Sequence, residues 1–427
     1  MKVLVVGSGG REHAIIKKLK ESAAAPEIFA WPGNGGIALD ATCVGTKAAD
    51  VEGMVAFAKG NQIDFVVVAP EEPLVLGAVD RLHAVGIPAF GPTAAAAEIE
   101  GSKVFTKNLM KKYGIPTAAY EVFTQADAAL AYIEEQGKYP VVIKADGLAA
   151  GKGVLIPQNR QEAQEALHTI MEEKAFGDSG DRVVVEEFLT GPEVSVLAFT
   201  DGNTLVPMLS SMDHKRALDG DEGLNTGGMG TVAPNPYYTP AVAQLCMQSI
   251  FMPTVAAMNA EGRPFRGCLY FGLMLTPDGP RVIEYNCRFG DPETQVVLPL
   301  LKTDLLTAMQ ATANGTLHQV QVENLPGYAT CVVLASGGYP GAYETGMEIQ
   351  GLEDAQATGA MVYHSGTATD GGKIFTAGGR VLGVTATGAT LEAAIAAAYA
   401  GADKITFAGK HCRRDIGQKA LQAEGEV

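Results

Sequence analysis

The sequence predicts a multidomain α/β fold: a parallel-sheet domain first, sheet-based units in the middle and an α+β domain last. Three observations predict it. Residues 1–92 alternate short apolar strands with stretches of helical apolar spacing, the pattern of a parallel sheet with helices on its faces. From Val194 to Leu275 apolar runs are separated by long polar, glycine-rich loops, as in an antiparallel sheet. The chain has 427 residues, 47% of them hydrophobic, 19% charged, and 51 glycines. That is enough for roughly two to four domains with ample core.

In the first unit Val3–Val6, Ile28–Trp31, Phe65–Ala69 and Pro88–Phe90 read as strands. Residues 11–21, 51–60 and 74–85 read as helices, with Ile15, Ile16 and Leu19 on the buried side of the first. Ligands of such sheets bind at strand C-termini. Three loops fall there: Gly7-Ser-Gly-Gly-Arg-Glu12, Pro32-Gly-Asn-Gly-Gly36 and Pro70-Glu-Glu-Pro73. The first misses the dinucleotide fingerprint G-x-G-x-x-G, because Glu12 stands where the third glycine belongs. Backbone N–H groups of Gly9 and Gly10 can still hold one phosphate at a helix start. A plain strand-to-helix turn is the alternative.

Thr93–Tyr113 reads as two helical stretches ending at Gly114 and Pro116. Lys103 lies in the second and, taken alone, reads as a solvated lysine. Helix Ala126–Glu135, strand Tyr139–Lys144, helix Gln161–Lys174 and strand Arg182–Phe188 follow. Between them runs Lys144-Ala-Asp-Gly-Leu-Ala-Ala-Gly-Lys-Gly153, a loop of small residues that can lie close against a ligand and move over it. Lys144 and Lys152 can each meet a phosphate. Gly153 follows the second lysine, so this is no Walker loop, and a flexible hairpin is the plainer reading. Val183-Val-Val-Glu-Glu-Phe-Leu189 then ends an apolar strand in carboxylates and an aromatic ring. A purine needs an apolar slot, and its ribose a carboxylate, which Glu193 can supply.

Asp213-His-Lys-Arg216 and Asn225-Thr-Gly-Gly-Met-Gly230 are polar loops on a rigid scaffold, where substrate contacts concentrate. Pro240–Asn259 and Leu298–Ala313 read as helices. The stretch Arg281 to Thr294 begins as a strand, and alternation puts Glu284, Asn286 and Arg288 on one face. A carboxylate and an amide oxygen suit a hard cation such as Mg²⁺. The planar fork of Arg288 suits phosphate or acyl-phosphate oxygens. A half-exposed strand with a wet polar face would look the same. From Tyr328 a last domain carries strand Cys331–Ala335, the loops Gly337-Gly-Tyr-Pro-Gly341 and Ala377-Gly-Gly-Arg380, and helix Leu391–Tyr399. Its one chemical group is Arg380, so it reads as a cap closing the site.

Net charge is −16, unevenly spread: residues 1–120 carry 12 basic and 12 acidic side chains, the rest 20 and 36. No basic run exists, which argues against nucleic acid as partner. No apolar run approaches the roughly 18 residues of a membrane helix, and Met1–Gly7 is too short for a signal peptide. Six cysteines (43, 246, 268, 287, 331 and 412) lack C-x-x-C spacing, and seven histidines form no H-E-x-x-H pattern. Buried thiols in a reducing cytoplasm fit this best.

Two lysines, a glycine loop and an E-x-N-x-R strand in one chain resemble the ATP-grasp superfamily. Within it, the sequence resembles the glycinamide ribonucleotide synthetase (phosphoribosylamine–glycine ligase) family over essentially its full length. The matches are Gly7-Ser-Gly-Gly-Arg-Glu12, Pro32-Gly-Asn34, Gly101-Ser-Lys103, Lys144 to Val154, Asp213-His-Lys215, Asn225 to Gly230 and Glu284 to Thr294. So many in order are highly specific. The resemblance implies a Rossmann-like N-terminal domain at 1–102, an ATP-grasp core at 103–325 with 120–192 as the small ATP-clamping part, and a C-terminal domain at 326–427.

The resemblance also implies roles. Lys103, Lys144, Gly151, Lys152 and Gly153 would hold the ATP phosphates, and Glu186, Glu187, Phe188, Leu189 and Glu193 the adenosine. Glu284 and Asn286 would bind Mg²⁺ or Mn²⁺. Gly9, Gly10, Asn34, Gly35, Pro70, Glu71, Asp213, Lys215, Asn225, Gly228 and Asp291 would contact glycine and phosphoribosylamine. Arg288, Lys144 and Asp213 would take part in the chemistry, which joins the two substrates through an acyl phosphate. Strand Cys268–Leu275 lacks the carboxylate that many ATP-grasp enzymes place there, which weakens a second metal position. Partners would be small molecules only, without nucleic acid or membrane, and the assembly a monomer or weak dimer. Two rival readings share the nucleotide half: another ATP-grasp ligase or carboxylase, and a nucleotide-binding regulator without turnover.

Overall fold

The computed structural model describes residues 1–148 and 153–426. Its first sheet is parallel, in the order Thr42–Cys43, Glu27–Pro32, Lys2–Gly7, Phe65–Val68, Ala89–Phe90. Val3 to Val6 are all fully buried, as strands covered by helices on both faces must be. The helix expected at 74–85 is two helices, Glu71–Val75 and Ala78–Ala84. Gly77 at φ +81° separates them, a left-handed turn that cannot continue a helix.

A small antiparallel sheet follows, ordered Tyr120–Phe123, Val183–Glu187, Val141–Ala145, Val154–Leu155. Helices Ala126–Gln136 and Arg160–Leu167 pack on it. Ile133, Ile143, Leu167, Ile170 and Val185 form its own core, separate from the others. A unit with its own core can shift as a body.

The third sheet has eight strands in the order Gly279–Asn286, Gly267–Thr276, Glu193–Thr200, Leu205–Asp213, Gly230–Ala233, Tyr328–Ala335, Arg380–Gly388, Met361–His364. The C-terminal residues thus extend this sheet. Their strand Tyr328–Ala335 pairs antiparallel with Gly230–Ala233, from Gly230 opposite Val332 to Ala233 opposite Ala329. Open strand edges take partners wherever the chain brings one, and spacing along a sequence does not name that partner.

Two further expectations change. Of the helix expected at Leu298–Ala313 only Leu305–Asn314 forms, preceded by a single short helix at Thr294–Val297. The chain between them turns to hydrogen-bond Glu323, and Asp304 recaps it by accepting from Thr307 N–H at 2.8 Å. The helical run Pro240–Ala260, 21 residues with a stretch of 18 at mean hydropathy 1.4, is long and apolar enough to cross a membrane. Its Cys246, Ile250, Phe251, Val255 and Met258 are buried in the core against Phe271 and Tyr285, which accounts for the apolarity.

Candidate functional site

Residues of the small sheet, the long sheet and the N-terminal domain line one cleft of about 1010 Å³. On one wall the helix Lys103–Tyr113 starts at the N-cap Ser102. Asp146 ties the strand carrying Lys144 to that start, accepting from Ser102 Oγ at 3.0 Å and Val104 N–H at 3.1 Å, where a helix favours negative charge. Lys103 donates to the Gly147 carbonyl at 2.8 Å, and burial lowers its pKa. Gly153 also lines the cleft, whereas Gly151 and Lys152 lie outside the described residues.

Beneath these sits an ion cluster that helical periodicity did not reveal. Lys107, one turn after Lys103, lies 2.8 Å from Glu186 Oε2, and Lys144 lies 3.0 Å from Oε1. Lys107 also donates to Thr117 Oγ1 at 2.8 Å, and Lys144 to the Ile283 carbonyl at 3.1 Å. Burial pulls Lys107 down to about 8, with Glu186 opposing. Burial alone would raise Glu186, but Lys144 and Lys107 outweigh it. The Glu186 side chain therefore faces two lysines, while Glu187, Phe188 and Leu189 continue along the cleft wall.

Opposite lies strand Gly279–Asn286. Strict alternation would put Val282 beside Glu284, yet Val282 and Tyr285 are both in the core. A bulge explains this: Gly272 opposes Glu284 and Leu273 opposes Val282, so Ile283 is the extra residue. The bulge turns the apolar residues inward and leaves Glu284 and Asn286 on the cleft. Burial would raise Glu284, but Lys215, Lys144 and Lys103 hold it down as a carboxylate. Asn286 uses its amide nitrogen on Glu100 and on the Tyr285 carbonyl, which leaves the amide oxygen as the donor atom for a cation. Two hard oxygens side by side fit Mg²⁺ or Mn²⁺. Among the described residues no cluster of three or more His, Cys, Asp or Glu forms a ready-made cage. A cation held by these two oxygens would need water and phosphate oxygens for the rest of its ligands. Strand Gly267–Thr276 adds no carboxylate.

Arg288 is held from three sides: Nε donates to Glu71 at 3.0 Å, NH1 to the Phe289 carbonyl at 3.2 Å, and NH2 lies 3.1 Å from Glu100. Three of its five N–H donors are committed and two remain for a ligand. Burial would raise Glu71, but Arg288 and Arg11 hold it at about 2.

At the far end, Lys215 Nζ lies 3.3 Å from Glu193 and 3.7 Å from Glu284. Burial, then Glu293, pushes Asp213 well above the ordinary carboxyl range. Glu293 accepts from Ser195 and Tyr270 hydroxyls, both at 3.2 Å. Asn225 and Asp291 line the same space, and Gly228 backs it at φ +113°. A side chain at Gly228 would meet Pro292 Cδ at 2.4 Å and Asp213 Oδ1 at 2.7 Å. Arg380 enters from the C-terminal strand and donates to the carbonyls of Gly227 at 2.7 Å and Asp291 at 2.8 Å.

The N-terminal glycine loops lie at a seam with the C-terminal residues. Gly9, Gly10, Asn34, Gly35 and Pro70 are not on the cleft wall. Gly9 N–H donates to Glu12 Oε2 at 2.6 Å, so the helix start is capped by its own carboxylate. Gly7 at φ +126° makes room for it, since a Cβ there would lie 2.4 Å from Glu12 Cγ. Asn34 donates to the carbonyls of Ser8, His364 and Ser365 and accepts from Gly36 and Ile37 N–H. Gly35 packs against Ala368 and Thr369, and Gly10 against Ser365 and Gln295. Glycine and asparagine patterns that suit a ligand suit a domain seam equally well. From this domain the cleft takes Arg11 and Glu71, with Ile99 and Glu100 from its last helix.

An antiparallel clamp, two lysines from it and its neighbouring helix, and an oxygen pair on the opposed sheet define the ATP-grasp class. The biotin carboxylase domain of a Hydrogenobacter thermophilus 2-oxoglutarate carboxylase, solved with MgADP and bicarbonate, shares the fold at TM-score 0.72 and 18% identity, over 96% of this chain and 91% of that one. The chain belongs to the phosphoribosylglycinamide synthetase family: its N domain matches residues 1–100, its ATP-grasp (A) domain 101–294 and its C domain 329–419. The phosphoribosylamine–glycine ligase of Agrobacterium fabrum is 50% identical over 424 residues, 99% of this chain and 100% of that protein. The crystal structure of a phosphoribosylamine–glycine ligase from Thermotoga maritima matches at TM-score 0.86 and 37% identity, over 97% of this chain and 100% of that one.

Proposed function

We propose that this cleft joins glycine to 5-phosphoribosylamine with ATP, giving glycinamide ribonucleotide, ADP and phosphate, as a phosphoribosylamine–glycine ligase of purine biosynthesis. The observation that carries it is the pair Glu284 and Asn286 facing Lys103, Lys144 and Lys215 across one cleft in a chain of this family.

Lys103 and Lys144 take the ATP phosphates, and Glu187, Phe188, Leu189 and Glu193 bound the adenosine. Glu284 and Asn286 would hold Mg²⁺ or Mn²⁺, which would supply positive charge to offset that on the transferring phosphoryl group. A glycine carboxylate oxygen attacks the γ-phosphorus and ADP leaves. The two free N–H donors of Arg288 stabilise the moving charge. The substrate amine then attacks the acyl carbon and phosphate departs. Asp213, raised by burial and Glu293, takes the amine's proton in this reading. Arg11 and Arg380, with Glu71 and Asp291, are the groups suited to the phosphoribosyl end: guanidinium for phosphate, carboxylate for hydroxyls. Positioning these reactants is worth on the order of 7–11 kcal/mol at best.

Six free cysteines support a reducing cytoplasm. ADP release measured with each substrate tests the reaction. Glycine and phosphoribosylamine together, and neither alone, should drive stoichiometric ADP formation. Release that ignores glycine or demands bicarbonate would point to another ATP-grasp ligase or carboxylase, and binding of ATP without release to a regulator.

A further inference from the structure

Glu100 closes the helix Ala94–Gly101 and is buried, with 8% of its side chain exposed. It touches three consecutive residues of the cation strand and its continuation. Its Oε2 accepts from Cys287 N–H at 2.7 Å, and its Oε1 accepts from Asn286 Nδ2 at 3.2 Å and lies 3.1 Å from Arg288 NH2. Asn286 Nδ2 also donates to the Tyr285 carbonyl at 2.9 Å. Among the described residues no donor reaches Asn286 Oδ1 within hydrogen-bond distance. An amide has two ends of opposite hydrogen-bonding character. Turned over, Asn286 would set its oxygen against a carboxylate and a carbonyl, both acceptors, and lose both bonds. Asn286 therefore has one favourable orientation, and Glu100 is the side chain that selects it.

We propose that Glu100 is a positioning residue that fixes the Asn286 amide with its oxygen toward a divalent cation shared with Glu284. This rests on the reading that Glu284 and Asn286 hold the cation. Groups that orient metal ligands typically change affinity by about 10–100-fold when lost. In Glu100→Gln an amide N–H₂ replaces one acceptor oxygen, and Asn286 can satisfy it by turning its own oxygen away from the cleft. A carboxylate presents oxygen whichever way it turns, so Asn286→Asp added to Glu100→Gln should undo the defect.

The test is Mn²⁺ titration of the full chain with ADP present, read by electron paramagnetic resonance, with melting curves confirming that each variant is folded. Glu100→Gln should weaken Mn²⁺ binding about 10–100-fold, and Glu100→Gln/Asn286→Asp should return near the wild-type value. A merely structural role would not give that rescue. Wild-type affinity in Glu100→Gln overturns the proposal, as does a double variant no better than the single one. Glu284→Gln separates the two levels: if it binds Mn²⁺ normally, the cation reading itself fails, and the proposal with it. Should Glu100→Gln not fold, Glu100→Asp, which keeps the charge but shortens the reach, takes its place with the same two outcomes.

Discussion

The guanidinium of Arg380 donates to the main-chain carbonyl of Asp291 at 2.8 Å and lies 3.5 Å from the carboxylate of the same residue. The contact joins the C-terminal strand Arg380–Gly388 to the loop after strand Gly279–Asn286. The same NH1 holds the Gly227 carbonyl, while Tyr339 accepts from Gly227 N–H at 3.2 Å. Both polar groups of one glycine in the loop Asn225–Gly230 are thus set by the C-terminal residues. Hydrogen bonds to a charged group are worth about 1.5–3 kcal/mol each. Arg380→Ala should therefore lower kcat/KM for glycine and phosphoribosylamine by roughly 10–100-fold, with a far smaller effect on the KM for ATP. Steady-state kinetics with each substrate varied checks this, and an unchanged kcat/KM would reduce Arg380 to a bystander.

Glu284→Gln should nearly abolish turnover while the fold stays intact. The change removes one charge from a nearly isosteric side chain on a strand whose core residues, Val282 and Tyr285, point the other way. Activity against Mg²⁺ concentration is the measurement. Near-normal turnover at low Mg²⁺ would place the cation elsewhere.

Glu186→Ala should destabilise the protein by about 3–5 kcal/mol, because it strands Lys107 and Lys144 in a buried site without their shared partner. Lys107→Met should cost less, since Lys144 remains to pair with Glu186 and the methionine stem fills similar space. Denaturant unfolding of the two variants orders them. The reverse order would mean that the cluster is held by Lys107 rather than by the carboxylate.

Acid should loosen the contacts of the C-terminal residues. His214 donates from Nδ1 to the Gly230 carbonyl and accepts at Nε2 from Gly417 N–H, both at 3.1 Å, which fits only the neutral ring. Burial, with Arg413 nearby, holds it at about 4, and burial with His13 nearby holds His364 at about 3. Both folded values lie below the ordinary 6.5, so the unfolded chain binds more protons between them. Stability is complete above about 6.5 and falls as pH drops toward the folded values, by about 2 kcal/mol per histidine at pH 5. Melting temperatures of wild type and His214→Gln at pH 7 and 5 test it. The variant should show the shallower fall, and equal slopes would clear His214 of the effect.

The sequence by itself determined the elements whose signal is local. Short apolar runs at Val3–Val6 and Phe65–Ala69 marked the strands Lys2–Gly7 and Phe65–Val68, helical spacing marked Gly10–Lys20 and Lys103–Tyr113, and Gly114 ended the latter in a left-handed cap. Glu284, Asn286 and Arg288 were legible as a polar trio, and Lys144 as a strand-end lysine. Their roles needed the whole chain. Tertiary structure alone decided that a bulge at Ile283, not simple alternation, sorts core from cleft. It decided that Glu100 meets Cys287 across 187 positions and Asn34 meets His364 across 330. A side chain's type and spacing state what it can bond to. Whether ligand or protein takes that bond depends on which distant segment folding brings beside it, and hydrogen-bond chemistry is the same for either partner.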